Sequence, residues 1–152
     1  MRDRVEYLDL DDVVELARIL LGHPTPIRDI GLLGSAIARP QTTLLGEDAY
    51  PDVWMKAAAL LQSIVNNHAL VDGNKRLGWL ATAVFLELNR TSVAHASNDD
   101  VFDLVMEVAA NNPSLDMIAA NLRRFAVKRP PARKLITRLS STATSDGASI
   151  KR

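Results

Sequence analysis

Nine consecutive residues crowd together the groups that proton and phosphate chemistry needs: His68-Ala69-Leu70-Val71-Asp72-Gly73-Asn74-Lys75-Arg76. A base, a carboxylate, a glycine, an amide and two cations stand in one short run. His68 is a general-base candidate, because an imidazole accepts a proton from a hydroxyl near neutral pH. Asp72 offers hard oxygen to Mg²⁺, which usually takes only one or two protein carboxylates beside substrate phosphates. The same carboxylate equally suits the cap of the helix that follows. Gly73 would let the backbone come close to an anion. Lys75 and Arg76 stand where that helix begins, and cations there oppose the macrodipole by roughly 0.3 to 1 kcal/mol each. An anion held between them and the unpaired N–H groups of the first turn resolves the conflict. The pattern therefore reads as a phosphate-binding turn with a base beside it. Taken singly, each residue also has an ordinary reading: a structural histidine at a helix end, an Asp-Gly-Asn turn, a solvated Lys-Arg pair.

Two helices must deliver this run. A helical period starts after Pro51 and Asp52, runs through Val53, Ala57, Leu60, Leu61, Ile64 and Val65 to Asn67, and so ends beside His68. The next starts near Asn74 and carries Leu77, Leu80, Ala81, Val84, Phe85 and Leu88, a wide apolar face expected of a helix at the centre of a bundle. Around this pair, Asp9 caps a helix from Leu10 to Leu21 that stops at Gly22, and Asp29 caps a short one ended by Arg39-Pro40. Residues 41 to 51 lack a helical period and read as a loop or small hairpin. Ser97 or Asn98 caps a helix through Ala110, and Asn112-Pro113 separates it from a last one, capped by Ser114 and running to about Val127. The expectation is an all-α, single-domain bundle of about six helices with a short flap loop or hairpin.

The 152 residues suit one domain, and 47% apolar with 24% charged residues is an ordinary globular mixture. No cysteine is present, so disulfides, thiolate metal sites and a cysteine nucleophile are excluded. Charged residues at the start replace the apolar stretch of a signal peptide, and the longest apolar stretch, around Trp79 to Leu88, is too short to span a bilayer. A soluble cytoplasmic protein, with no membrane association, is expected. Residues 1 to 127 hold eleven bases and seventeen acids, a net −6, which removes any bulk attraction to nucleic acid. Residues 128 to 152 are +6, with Pro130-Pro131 and a Ser/Thr-rich run, and read as a basic flexible tail.

The run from His68 to Arg76 resembles the Fic motif, and its Asp-Gly-Asn-Lys-Arg form resembles the Doc branch of that family. Arg28-Asp29, Gly31-Leu32-Leu33, Ala38-Arg39-Pro40-Gln41, Tyr50-Pro51, Lys56-Ala57-Ala58 and Phe85-Leu86 extend the likeness over roughly residues 5 to 125. The resemblance implies the Fic fold over residues 1 to 127. It further implies the toxin of a toxin–antitoxin pair, a kinase that phosphorylates a threonine of elongation factor Tu with ATP and Mg²⁺ and halts translation and growth. Carried over, His68 is the base, Asp72 the substrate or metal-orienting acid, and Lys75 a third catalytic residue. Gly73, Asn74, Lys75 and Arg76 form the phosphate cradle. Arg39, Pro40, Gln41, Thr42 and Thr43 belong to the flap that aligns the protein target. A Phd-like antitoxin, whose C-terminal segment folds into a groove of the toxin, is the implied partner.

The departures from the family pattern have physical content. Lys75 replaces the second glycine of the AMP-transferring motif, filling space that an α-phosphate would enter and placing charge against a terminal phosphoryl group. Trp79 stands where that motif has its second arginine, Leu70 where phenylalanine is usual, and Ala69 where proline is common. AMP transfer to a protein hydroxyl and a non-catalytic module that binds antitoxin and adjusts its operator binding are the alternative readings. A helix-turn-helix DNA reader ranks last: the helix after Gly73 is too apolar to lie in a major groove, so no direct DNA binding by the domain is expected.

Overall fold

The computed structural model describes residues 4–126. Six helices carry the described chain: α1 (Leu10–Leu21), α2 (Ile30–Ala38), α3 (Val53–Asn67), α4 (Asn74–Leu88), α5 (Asn98–Asn111) and α6 (Leu115–Phe125). The expected all-α architecture is what the fold shows. The basic tail, residues 128 to 152, lies outside the described residues.

Caps set most of the boundaries. Asp9, Asp29, Asp52, Ser97 and Ser114 each accept a hydrogen bond from a first-turn N–H of the helix that follows. Asp9 and Asp12 close a reciprocal capping box on α1. Ser97, not Asn98, is the cap of α5, and α6 ends at Phe125 with Ala126 closing it.

The helix at the centre is α3, whereas the sequence pattern suggests α4. Ala57, Ala58, Ala59, Leu60, Leu61, Ile64 and Val65 are all buried, so α3 is apolar nearly all round, as a helix enclosed by others must be. It packs against α2, α4, α5 and α6. Its alanines explain the enclosure, because small side chains allow neighbours to approach from several directions. The closest approach is to α4: a Cβ on Gly78 would sit 2.8 Å from Val65 Cγ2. Helix α4 is exposed at Lys75, Arg76, Glu87 and Leu88, so its two ends face solvent while Leu77, Ala81, Phe85 and Leu86 enter the core.

Between α2 and α3 the chain makes a 3₁₀ turn at Arg39–Gln41 and then a hairpin, β1 (Thr43–Leu44) with β2 (Glu47–Asp48). The strands are antiparallel, Thr43 opposite Asp48 and Leu44 opposite Glu47. Leu45 and Gly46 make the turn with φ of 54° and 79°, the positive values that two-residue hairpin turns of the I′ kind require. The hairpin is held to the body by Lys56, only 1% exposed, whose Nζ lies 3.1 Å from Asp48 Oδ2. No helix among the described residues is long and apolar enough to cross a membrane.

Candidate active site

Helix α3 ends at His68, which takes the left-handed conformation with φ 54° and ψ 43°. The reversal turns the chain away from the helix axis and leaves His68 exposed, while Ala69 and Leu70 run back into the core. Leu70 is buried, so leucine anchors the loop in the position where the family pattern has phenylalanine.

Three sets of contacts fix the loop. The segment before α2 lies antiparallel to it: Ile27 bridges Leu70, and Val71 N–H donates to the Pro26 carbonyl at 2.9 Å. The N–H groups of Arg28 and Asp29 both donate to the Ala69 carbonyl, at 2.8 and 3.0 Å. The Arg28 guanidinium donates to the carbonyl of His68 itself. From the other side, Asn74 grips Leu70 twice, its Oδ1 accepting from the Leu70 N–H and its Nδ2 donating to the Leu70 carbonyl, both at 3.0 Å. The Asn74 carboxamide thus holds the loop through its Oδ1 and one of its two Nδ2 donors.

Gly73, not Asp72, is the N-cap of α4, and no side chain caps that helix. Asp72 Oδ1 instead accepts from the Gly73 N–H at 2.8 Å. The capping alternative for Asp72 is thereby set aside, and the first-turn N–H groups of α4 are left without a side-chain acceptor. Gly73 has φ 93°, and a Cβ there would meet Leu21 Cδ1 at 2.7 Å. A side chain at Gly73 would press on the end of α1, a packing reason for glycine beside its positive φ.

His68, Asp72, Gly73, Asn74, Lys75 and Arg76 all line one cavity of about 790 Å³. Lys75 and Arg76 are exposed, and neither takes part in an ion pair among the described residues. The cavity also has an apolar lining, formed by Trp79 and Leu80 of α4 with Val101, Phe102, Val105 and Met106 of α5. Phe102 is 63% exposed and Met106 is also exposed. That wall escapes a reading of α5 by its core face, yet an aromatic and a methionine outside the buried positions Leu104, Val105 and Val108 are a signal for it.

The flap candidates divide. Pro40 is buried and Arg39 turns into the body, donating to the Tyr50 hydroxyl at 2.9 Å, Gln62 Oε1 at 2.7 Å and Ser63 Oγ at 2.8 Å. Arg39, Pro40 and Gln41 thus form the base of the flap. Thr42 leads into the hairpin, and only Thr43 of the five lies in a strand. The projecting residues are Leu44 and Leu45, the latter 97% exposed.

Comparison with known proteins now decides the lineage. The family model described as Fic/DOC family matches residues 7–86. A Toxin Doc of Mycolicibacterium smegmatis (strain ATCC 700084 / mc(2)155) is 52% identical over 122 residues, covering 80% of this chain and 94% of that protein. The chain belongs to the Fic/DOC family. Its likeness to Toxin Doc extends past the matched model region and puts it on the Doc side of the family, as the Asp-Gly-Asn-Lys-Arg run predicts. In this Fic/DOC chain, Trp79 forms part of the apolar wall, on the same cavity as the cationic turn.

Proposed function

We propose that this protein is the toxin of a toxin–antitoxin pair and a cytoplasmic kinase that phosphorylates a threonine hydroxyl of elongation factor Tu, using ATP and Mg²⁺, to halt translation. The observation that carries the reading is the uncapped start of α4, where Lys75 and Arg76 stand without acidic partners among the described residues, on the cavity that His68 lines. Unspent N–H groups, two cations and a base facing one space suit transfer of a terminal phosphoryl group, which is mostly positioning and charge stabilisation.

In this scheme His68 takes the proton of the target hydroxyl as its oxygen forms a bond to the terminal phosphorus. The bond from that phosphorus to the bridging oxygen breaks, leaving the nucleoside diphosphate. Lys75, Arg76 and the first-turn N–H groups of α4 hold the oxygens of the transferring group. No cluster of three or more histidine and acidic side chains able to hold a metal occurs among the described residues. Asp72, exposed and with Oδ1 occupied by the Gly73 N–H, fits a Mg²⁺ that arrives with the nucleotide, since such an ion takes few protein ligands. Bound there, the ion would neutralise phosphate charge. The apolar wall of Trp79, Val101, Phe102 and Met106 suits a Phd-like antitoxin segment laid across the cavity.

The test is intact-mass analysis of elongation factor Tu after incubation with the protein, ATP and Mg²⁺, beside the His68→Ala variant. The expected result is a gain of one phosphate, slowed by about 10²- to 10⁴-fold in the variant, the range for loss of a general base. A nucleotide-sized gain would assign AMP transfer instead, and an unchanged mass would overturn this kinase reading and leave a different target or a binding module.

A further inference from the structure

Resting on the reading of His68 as the base, we infer that Arg28 is a positioning residue for it: the guanidinium holds the His68 carbonyl and so keeps the imidazole directed at the cavity. Three observations carry this. His68 is in the left-handed region, which a residue with a Cβ occupies uncommonly and at an energetic cost. His68 stands one residue beyond α3, exposed, and lines the cavity from there. A contact reaches the residue from 40 positions away, the Arg28 guanidinium on the His68 carbonyl.

A charged donor is suited to this task. The carbonyl at a helix C-terminus carries negative partial charge, and a guanidinium bonded to it is a charge-assisted contact in the favourable direction of the helix dipole. It fixes the peptide plane on the far side of His68. Together with the helix on the near side, that sets φ and ψ and hence the direction in which the Cα–Cβ bond leaves the backbone.

The substitution that tests this is clean. The backbone N–H groups of Arg28 and Asp29 hold the Ala69 carbonyl whatever side chain Arg28 carries. Arg28 is exposed, so truncation opens no cavity in the core. Arg28→Ala should leave the melting temperature and helical circular dichroism close to wild type. In the full chain labelled with ¹³C and ¹⁵N, the His68 Cα and Cβ resonances should move away from their left-handed values. Phosphoryl transfer should fall by about 10- to 100-fold, the scale of a misplaced catalytic group, in kcat rather than KM. Guanidinium ion added to Arg28→Ala should restore part of both signals, and Arg28→Lys should lie between.

His68 resonances unmoved in Arg28→Ala would overturn the proposal, as would a raised KM for ATP with those resonances unmoved, which would make Arg28 a phosphate ligand. If Arg28→Ala fails to fold, Arg28→Lys and Arg28→Gln carry the same resonance test, and an unmoved His68 in both overturns it. A wild-type protein without transfer activity would sink the kinase reading while the resonances still decide whether Arg28 sets the His68 backbone.

Discussion

Gly73 illustrates how a site residue is legible in type and hidden in cause. The run from His68 to Arg76 announces itself because its groups are neighbours in the chain, but the reasons for glycine are its positive φ and the nearness of Leu21, the last residue of α1. Gly73→Ala should destabilise the protein by about 1 to 2 kcal/mol, from positive φ alone, and should slow transfer further as the turn shifts; urea unfolding and the transfer assay check the two effects. The role of the Asn74 carboxamide was equally hidden, since residue type suggests a ligand contact and only the fold shows both its ends on Leu70. Leu45 gives the opposite prediction. It is 97% exposed with φ 54°, so its side chain packs on nothing and its backbone is strained. Leu45→Gly should stabilise the protein by about 1 kcal/mol while lowering the rate of target modification. A rise in both, by thermal melt and transfer assay, would show that the exposed Leu45 side chain takes no part in holding the target.

At the scale of elements, the helix boundaries were readable because aspartate and serine caps are local signals. The rank of the helices was not. Period and composition make α4 look central, yet the alanine run 57 to 59 on α3 allows approach from more sides. The hairpin falls inside residues 41 to 51, where the helical period is missing, with Arg39-Pro40-Gln41 as a 3₁₀ turn at its base. The missed signal was Lys56, a charged residue inside the apolar period of α3, which is buried to reach Asp48 on β2. Asp48→Asn leaves that buried cation with a weaker partner. It should cost about 1 to 3 kcal/mol, the range for an under-satisfied buried polar group. Hydrogen exchange at the Ala49 N–H, which donates to the Thr42 carbonyl at 2.8 Å, should quicken as the hairpin loosens.

For the whole molecule, charge and surface divide the labour. The −6 of residues 1 to 127 argues against a nucleic-acid partner, while the one long apolar wall beside the cationic turn suits a helical or extended protein segment. Phe102→Ser should weaken antitoxin binding by about 10-fold or more, as loss of a central aromatic contact does. Titration calorimetry with the antitoxin reads the loss. The wall was not legible as a site because it joins α4 and α5, whose residues approach only after both pack on α3.

The loop that carries His68 is held by Pro26, Ile27, Arg28 and Asp29, and Gly73 is backed by Leu21, all on the far side of the flap in the chain. The turn at Leu45 and Gly46 is an exposed junction between these two stretches. A gene divided there would encode one half with the fastenings and another with the reactive loop. Neither half alone should poison a cell, and growth would stop only when fused partners bring the halves together, which makes the molecule a natural reporter of association between other proteins.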